Sequence, residues 1–418
     1  MSNKANTTTP KPDGKHALTP KLRFPEFRDA AGWEETRLQK IARPVADRAV
    51  TGGGDNVLSL SGEHGLVLQS DYFGKKVAGD SAERYLKLVR NDFVYNDRTT
   101  KASVYGTIKR LSKYDGGIVS PIYKCFRFHS DENPVFWEWY FESGSHEAQL
   151  GSLVNEGARA GRFNISISQF LSTSAWRPEE PEQQKIAECL SSVNKLMAAQ
   201  TRKLDALKTH KKGLMHQLFP REGETQPRLR FPEFRGEEEW DMRRLGKVAD
   251  NLDNRRVPIT SSDREAGDVP YYGASGIVDY VEGFIFDEDL LCVSEDGANL
   301  VARTYPIAFP ISGKTWVNNH AHVLKFENAC TQKFVEVYLN SIKLDDFITG
   351  MAQPKLNKAM LDNIPIPHPD IPEQQRIADC LTSLDDLITA QTQKLDALKA
   401  HKKGLMQQLF PQMEEIES

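Results

Sequence analysis

Apolar residues recur in steps of four and three along two long stretches of the chain. In the first, the repeat is held by Ile186, Leu190, Val193, Met197, Gln200, Leu204, Leu207, Lys211, Leu214 and Leu218, eight of the ten apolar. In the second, the same places belong to Ile377, Leu381, Leu384, Ile388, Gln391, Leu395, Leu398, Lys402, Leu405 and Leu409, again eight of ten. This period predicts two long helices, each with a coiled-coil seam. Each begins after a proline suited to a first turn and stops at Phe-Pro, which cannot continue a helix. Apolar area left in water costs about 25 cal/mol per Å², so both seams need cover. The simplest cover is the other helix of the same chain, running antiparallel; a second molecule is the alternative. Gln200 and Gln391 share one seam position, a polar pair that would fix register. About 35 helical residues at ~1.5 Å each make a rod of roughly 50 Å.

Elsewhere the pattern shortens to β-prone runs broken by turns. In the first half these are 57–60, 93–95, 103–105, 118–119 and 123–128, with a helix expected at 135–142. In the second they are 290–293, 307–309, 315–317 and 322–326, with a helix near 333–342. The fold class expected is α+β: two mixed α/β domains separated by two long helices that form an intramolecular antiparallel coiled coil with pseudo-twofold symmetry.

The chain repeats itself. Leu-Arg-Phe-Pro-Glu-Phe-Arg at 22–28 recurs letter for letter at 229–235, and 12 of 21 positions match when both are continued to Ala42 and Ala249. Residues 181–220 and 372–411 agree at 29 of 40 positions. Between these anchors the likeness is faint but in register: Phe136, Glu138 and Tyr140 precede Phe334, Glu336 and Tyr338 by 198 residues. The organisation expected is a disordered lead over 1–20, a first domain over 21–178, a helix over 179–220, a second domain over 221–369, a helix over 370–411 and a tail over 412–418. Two near-identical frameworks imply two equal sets of contacts, and two divergent domains imply different surfaces.

Composition narrows the class. Hydrophobic residues are 39% and charged residues 27% of 418, ordinary for a globular chain. No apolar run approaches the ~18 residues of a membrane helix, and the start of the chain lacks a signal peptide's apolar stretch. Five cysteines without a Cys-x-x-Cys pair fit a reducing cytoplasm.

Catalytic signatures are missing. Gly313-Lys314-Thr315 resembles the end of a phosphate loop, but Ala308 stands where its upstream glycine belongs and Pro310 intrudes. Asn133-Pro134-Val135-Phe136 falls one residue short of the box with which amino-methyltransferases hold a base. No Glu-x-Lys occurs, which argues against one class of metal-dependent nuclease. His320-Ala-His322 would place two imidazoles on one strand face, yet no cysteine or carboxylate cluster stands nearby in sequence, so no metal is expected.

Charge is uneven. Residues 29–178 hold nineteen basic and eighteen acidic side chains, whereas 236–369 hold thirteen and twenty-one. The cations nevertheless cluster with aromatics and amides. In the first domain the candidates are Lys101, Tyr105, Lys109 and Arg110, then Arg159 and Arg162 in a glycine-bounded loop. In the second they are Lys314, Trp316, Asn318, Asn319 and His320, then Gln353 and Lys355 after Gly350. Amides suit adenine edges, and cations on a glycine loop suit a nucleic-acid backbone.

The duplicated Leu-Arg-Phe-Pro-Glu-Phe leads, the duplicated Pro-Glu-Gln-Gln-[Lys/Arg]-Ile-Ala helices ending Leu-Phe-Pro, and the two divergent domains together resemble the specificity subunit of type I restriction–modification enzymes. The resemblance runs from Leu22 to Pro411 and takes in 105–109, 119–123 and 316–320 as segments like those of target-recognition domains. It implies a non-catalytic, cytoplasmic subunit that reads a bipartite sequence in double-stranded DNA, with the helices as a ruler. It implies two modification subunits that bring S-adenosylmethionine, and restriction subunits that bring ATP and Mg; no cofactor belongs to this chain. A scaffold whose two variable domains grip proteins is the alternative.

Overall fold

The computed structural model describes residues 17–50, 56–73, 82–100, 103–153, 164–221, 223–350 and 353–411. The chain divides into two units, Met1–Ala199 with Leu395–Ser418, and Gln200–Lys394. No helix among the described residues is long and apolar enough to cross a membrane.

Among the described residues the first unit holds three sheets. A small antiparallel one pairs Ala17–Leu18, Trp33–Arg37 and Ser174–Arg177. The second runs in the order Ala42–Pro44, Lys124–Phe128, Phe93–Asn96, Thr107–Arg110, and the third in the order Gly65–Leu68, Val57–Ser61, Gly116–Val119, Leu86–Val89. Only the contact of Val57–Ser61 with Gly116–Val119 is parallel among the pairs of these sheets. The helix Pro134–Glu142 begins where the Asn133 side chain accepts from the amides of Val135 and Phe136. It buries Phe136, Trp137, Tyr140 and Phe141 against Phe93, Phe126, Phe128 and Phe170. Fully burying one such ring is worth about 1.5–3 kcal/mol, so this aromatic core dominates the unit.

The second unit repeats that plan. Its sheets run Asp250–Asn251, Ala321–Lys325, Leu290–Ser294, Ala308–Ile311 and Gly276–Val281, Ala266–Gly273, Lys314–Val317, Phe286–Asp287. Position by position the order matches the first unit, down to the single parallel pair, here Ala266–Gly273 with Lys314–Val317. A two-stranded sheet of Asp241–Arg244 and Pro365–His368 stands where the first unit has its small sheet.

Each long helix, Glu180–Leu218 and Ile371–Leu409, starts in one unit and ends in the other. Within the first unit Ile186, Ala187 and Leu190 share a core with Leu405, Met406, Leu409 and Phe410. Within the second, Leu214, Met215, Leu218 and Phe219 share one with Ile377, Leu381 and Leu384. In both, the start of one helix lies with the end of the other, the antiparallel intramolecular pairing expected as the simplest cover for the seams. The seam glutamines meet: Gln200 Nε2 donates to Gln391 Oε1 at 2.6 Å. Lys211, also a seam position, reaches Asp385 at 2.6 Å.

The repeated motifs turn out to be each other's partners. Arg23 forks onto Glu182 at 2.8 and 2.7 Å, and Arg230 onto Glu373 at 2.8 Å twice. Side-chain exposures of 6%, 3%, 9% and 2% make both pairs buried. Lys185 sits over the Phe24 ring and pairs with Glu26, while Arg376 sits over Phe231 and pairs with Glu233. The identity of the two frameworks is therefore used in large part inside the chain.

Two sequence expectations fail here. Residues 103–105 form no strand: Ser103 makes an isolated bridge to Thr100, and Gly106, at a φ of 83°, turns the chain before Thr107–Arg110. The last residues of the expected disordered lead, 1–20, are ordered, because Ala17–Leu18 pairs with Trp33–Arg37; residues 1–16 and the tail 412–418 lie outside the described residues.

Candidate nucleic-acid interface

In the second unit three loops, from strands of both sheets, meet at one place. The first, 295–297, leaves the strand Leu290–Ser294 and turns at Gly297, whose φ is 104°. The second, 318–320, leaves Lys314–Val317; its Asn318 Oδ1 accepts the His320 amide at 2.8 Å and its Asn318 amide donates to the Tyr272 carbonyl at 3.0 Å. The third, described at 349–350 and 353–356, is closed by paired bonds between Thr349 and Lys355, both 2.8 Å. Gly350 is obligatory there: its φ is 82°, and a Cβ would meet the Gln353 carbonyl oxygen at 2.5 Å.

Backbone bonds sew the loops together. Glu295 N donates to His320 O at 2.9 Å, Leu356 N to Glu295 O at 2.7 Å, and Gly297 N to Pro354 O at 3.1 Å. His320 Nδ1 lies 2.8 Å from Asp296 Oδ2. The result is one surface on which Asn319, His320 and Gln353 are exposed and Lys355 is half exposed. Asn318 is different. At 6% exposure its amide serves the turn, and Asn357 likewise caps the helix Lys358–Asp362. Lys314 and Trp316 lie farther up their strand, Lys314 over the Phe284 ring and Trp316 donating its indole N–H to the Val257 carbonyl at 2.6 Å.

Below the loops, charges gather that the sequence kept far apart. His322 is buried, and Asp253, Arg256 and Glu295 surround it. This corrects two expectations: His320 and His322 do not share a strand face, since His320 precedes the strand Ala321–Lys325, and carboxylates do accompany the pair. Burial pushes the Asp253 carboxyl up, but the His322 hydrogen bond and charge, the Val323 amide and Arg256 outweigh it and hold it below the usual range. Glu295 is likewise held low, burial being outweighed by Arg256, His322 and Lys355.

In the first unit Lys101, Arg159 and Arg162 lie outside the described residues. Tyr105 is half-buried against the aromatic core, and its carbonyl accepts the Tyr95 hydroxyl at 3.0 Å. Lys109 pairs with Glu142 at 2.8 Å, and Arg110 with Glu138 at 2.6 Å and Asn91 at 2.7 Å, so both brace their strand against the helix Pro134–Glu142. Beside them opens a cleft of about 410 Å³ whose lining includes Asn96, Arg98, Thr100, Ser103 and Thr107. Arg98 and Thr100 follow the strand Phe93–Asn96, the counterpart of Leu290–Ser294, so both units place a loop at that strand's end.

Residues 237–400 match the family model described as Type I restriction modification DNA specificity domain. A stretch of 151 residues is 38% identical to a Haemophilus influenzae protein provisionally named a type I restriction enzyme specificity subunit, covering 36% of this chain and 38% of that protein. Over 248 residues the chain is 27% identical to a Methanocaldococcus jannaschii protein provisionally given the same kind of name, covering 56% of this chain and 57% of that one. The chain thus spans between about two fifths and three fifths of these relatives' own length. The solved S subunit of a type I restriction–modification system from M. genitalium has a TM-score of 0.59 at 15% identity, over 95% of this chain and 100% of that one, a likeness of fold.

Proposed function

We propose that this chain, which matches the type I restriction modification DNA specificity family over residues 237–400, reads a bipartite target in double-stranded DNA, one half-site per unit. The observation that carries this is the pair of matching sheets with unlike loops: the same turn reads Ser120-Pro121-Ile122 in one unit and Asn318-Asn319-His320 in the other. One scaffold with two surfaces suits two different half-sites. Exposed amides and imidazole offer base-edge contacts, and Lys355 a phosphate contact. The paired helices set the length of unread duplex. The chain itself is non-catalytic; modification subunits bring S-adenosylmethionine and methyl transfer, and restriction subunits bring ATP- and Mg-dependent cleavage.

The acidic surplus of the second domain limits general phosphate attraction. We therefore expect weak, steeply salt-dependent DNA binding by the chain alone and much tighter binding once modification subunits are added. A salt-titrated gel shift tests this. Equal nanomolar affinity with and without those subunits contradicts it.

A further inference from the structure

The three loops of the second unit rest on five charged side chains from four separate segments. Asp253 and Arg256 follow the strand Asp250–Asn251, Glu295 follows Leu290–Ser294, His322 lies on Ala321–Lys325, and Lys355 comes from the glycine loop. His322 is 1% exposed and both its ring nitrogens face acceptors. Nδ1 lies 2.6 Å from Asp253 Oδ2 and 3.7 Å from Glu295 Oε2; Nε2 lies 2.7 Å from the Leu356 carbonyl oxygen. A carbonyl only accepts, so Nε2 carries a hydrogen, and Nδ1 between carboxylates carries one too. The ring is satisfied on both sides only as a cation.

Glu295 is also held by Arg256 at 2.7 Å and Lys355 at 3.2 Å, and Arg256 lies 3.4 Å from Asp253. Two carboxylates thus face three cations. A divalent metal does not suit this place: Arg256 and Lys355 already hold Glu295, Arg256 also lies against Asp253, and a metal would add positive charge beside them. The network does something else. A buried charge that loses its partner is costly, which ties Asp253, Arg256, Glu295 and His322 together; the glycine loop, whose Lys355 is half exposed, is tied in by Leu356, which donates to the Glu295 carbonyl and accepts from His322, both at 2.7 Å.

We infer that His322 is a positioning residue that locks loops 295–297, 318–320 and 353–356 into one register and so sets the base preference of the second unit. The inference rests on the DNA-reading function proposed above. The first unit supports it: at the matching places, 198 residues earlier, Lys124 reaches Asp97 at 2.6 Å, and Asp97 is buried. Both units place a cation from the neighbouring strand against the carboxylate that starts the loop. They differ in which cation it is.

That difference supplies the test. The full chain, with any subunits that co-purify from its host, is used to select from a randomised duplex library, and the recovered DNA is sequenced. The unmodified chain is expected to return two sequence blocks. His322→Ala flattens one block, preference at its positions falling about tenfold or more, and leaves the other unchanged; His322→Lys, which restores a cation as Lys124 does, brings the block back. Should His322→Ala fail to fold, Glu295→Gln, of equal shape, loosens the same loops and flattens the same block. Both blocks intact in a folded His322→Ala or Glu295→Gln protein, or both lost together, overturns the inference. Recovery of no two-block motif by the unmodified chain refutes the DNA reading itself, and the inference with it.

Discussion

Replacing Arg230 by Met tests whether the repeated framework is an internal clamp. The guanidinium is buried, forks onto Glu373 at 2.8 Å and also donates to the Glu237 carbonyl at 2.8 Å. Glu373 accepts the Trp240 indole N–H at 2.9 Å as well. Removing one partner of such a pair leaves the other charge buried, at a cost of about 3–5 kcal/mol, whereas replacing both by apolar groups of similar size is close to neutral. Arg230→Met is therefore expected to lose about 3–5 kcal/mol, and Arg230→Met with Glu373→Leu to recover most of it. The remaining Trp240 hydrogen bond, unmade in the double variant, keeps the recovery incomplete by about 1 kcal/mol. Urea unfolding followed by circular dichroism measures both, and hydrogen exchange assigns the loss to 229–249 and 372–384. A single variant that costs under about 1 kcal/mol, or a double variant no better than the single, refutes the clamp and returns the motif to the surface as a docking element.

Gln200→Leu strands the Gln391 amide in the seam and is expected to cost about 1–3 kcal/mol, while the double Leu variant regains it; a double variant that melts lower than the single contradicts this. His146 is buried, its Nδ1 has no partner among the described residues, and burial pushes its pKa down to about 3. As pH falls below about 6.5 the unfolded chain takes up a proton that the folded one refuses, so stability falls with acid, by about 2 kcal/mol at pH 5 from this group alone. Urea unfolding at pH 7 and 5 should show that drop reduced in His146→Phe; equal drops in both proteins refute it. Asn319→Ala should relax one base position by about 1–3 kcal/mol, read by competition among single-base variants of the selected duplex, and uniform weakening would reassign Asn319 to backbone contact.

What the sequence disclosed follows from range. The long helices were legible because a heptad repeat held over 39 residues is a local signal, and the strands 93–96 and 290–294 because they are short continuous apolar runs. The hairpin of Ala266–Gly273 and Gly276–Val281 escaped notice: it contains Pro270, and Ile277, Val278 and Tyr280 are all exposed, so no alternation marks a buried face. The clamps and the His322 network were illegible for another reason. Arg23 meets Glu182 across 159 residues, and Asp253 meets His322 across 69, and a charge among many charges carries no mark of its distant partner. Lys109 and Arg110 were singled out because they interleave with Tyr105, but in the fold their ion pairs turn them onto the helix Pro134–Glu142.

Exchanging the first domain most directly tests one half-site per unit. Residues 29–178 are replaced by the corresponding segment of a relative of different specificity, the protein is expressed with the modification subunits proposed for it, and methylated adenines are mapped across the host genome. The account predicts that one block of the target changes while the other block and the gap between them stay the same. A methylated sequence left unaltered, or altered in both blocks, contradicts it.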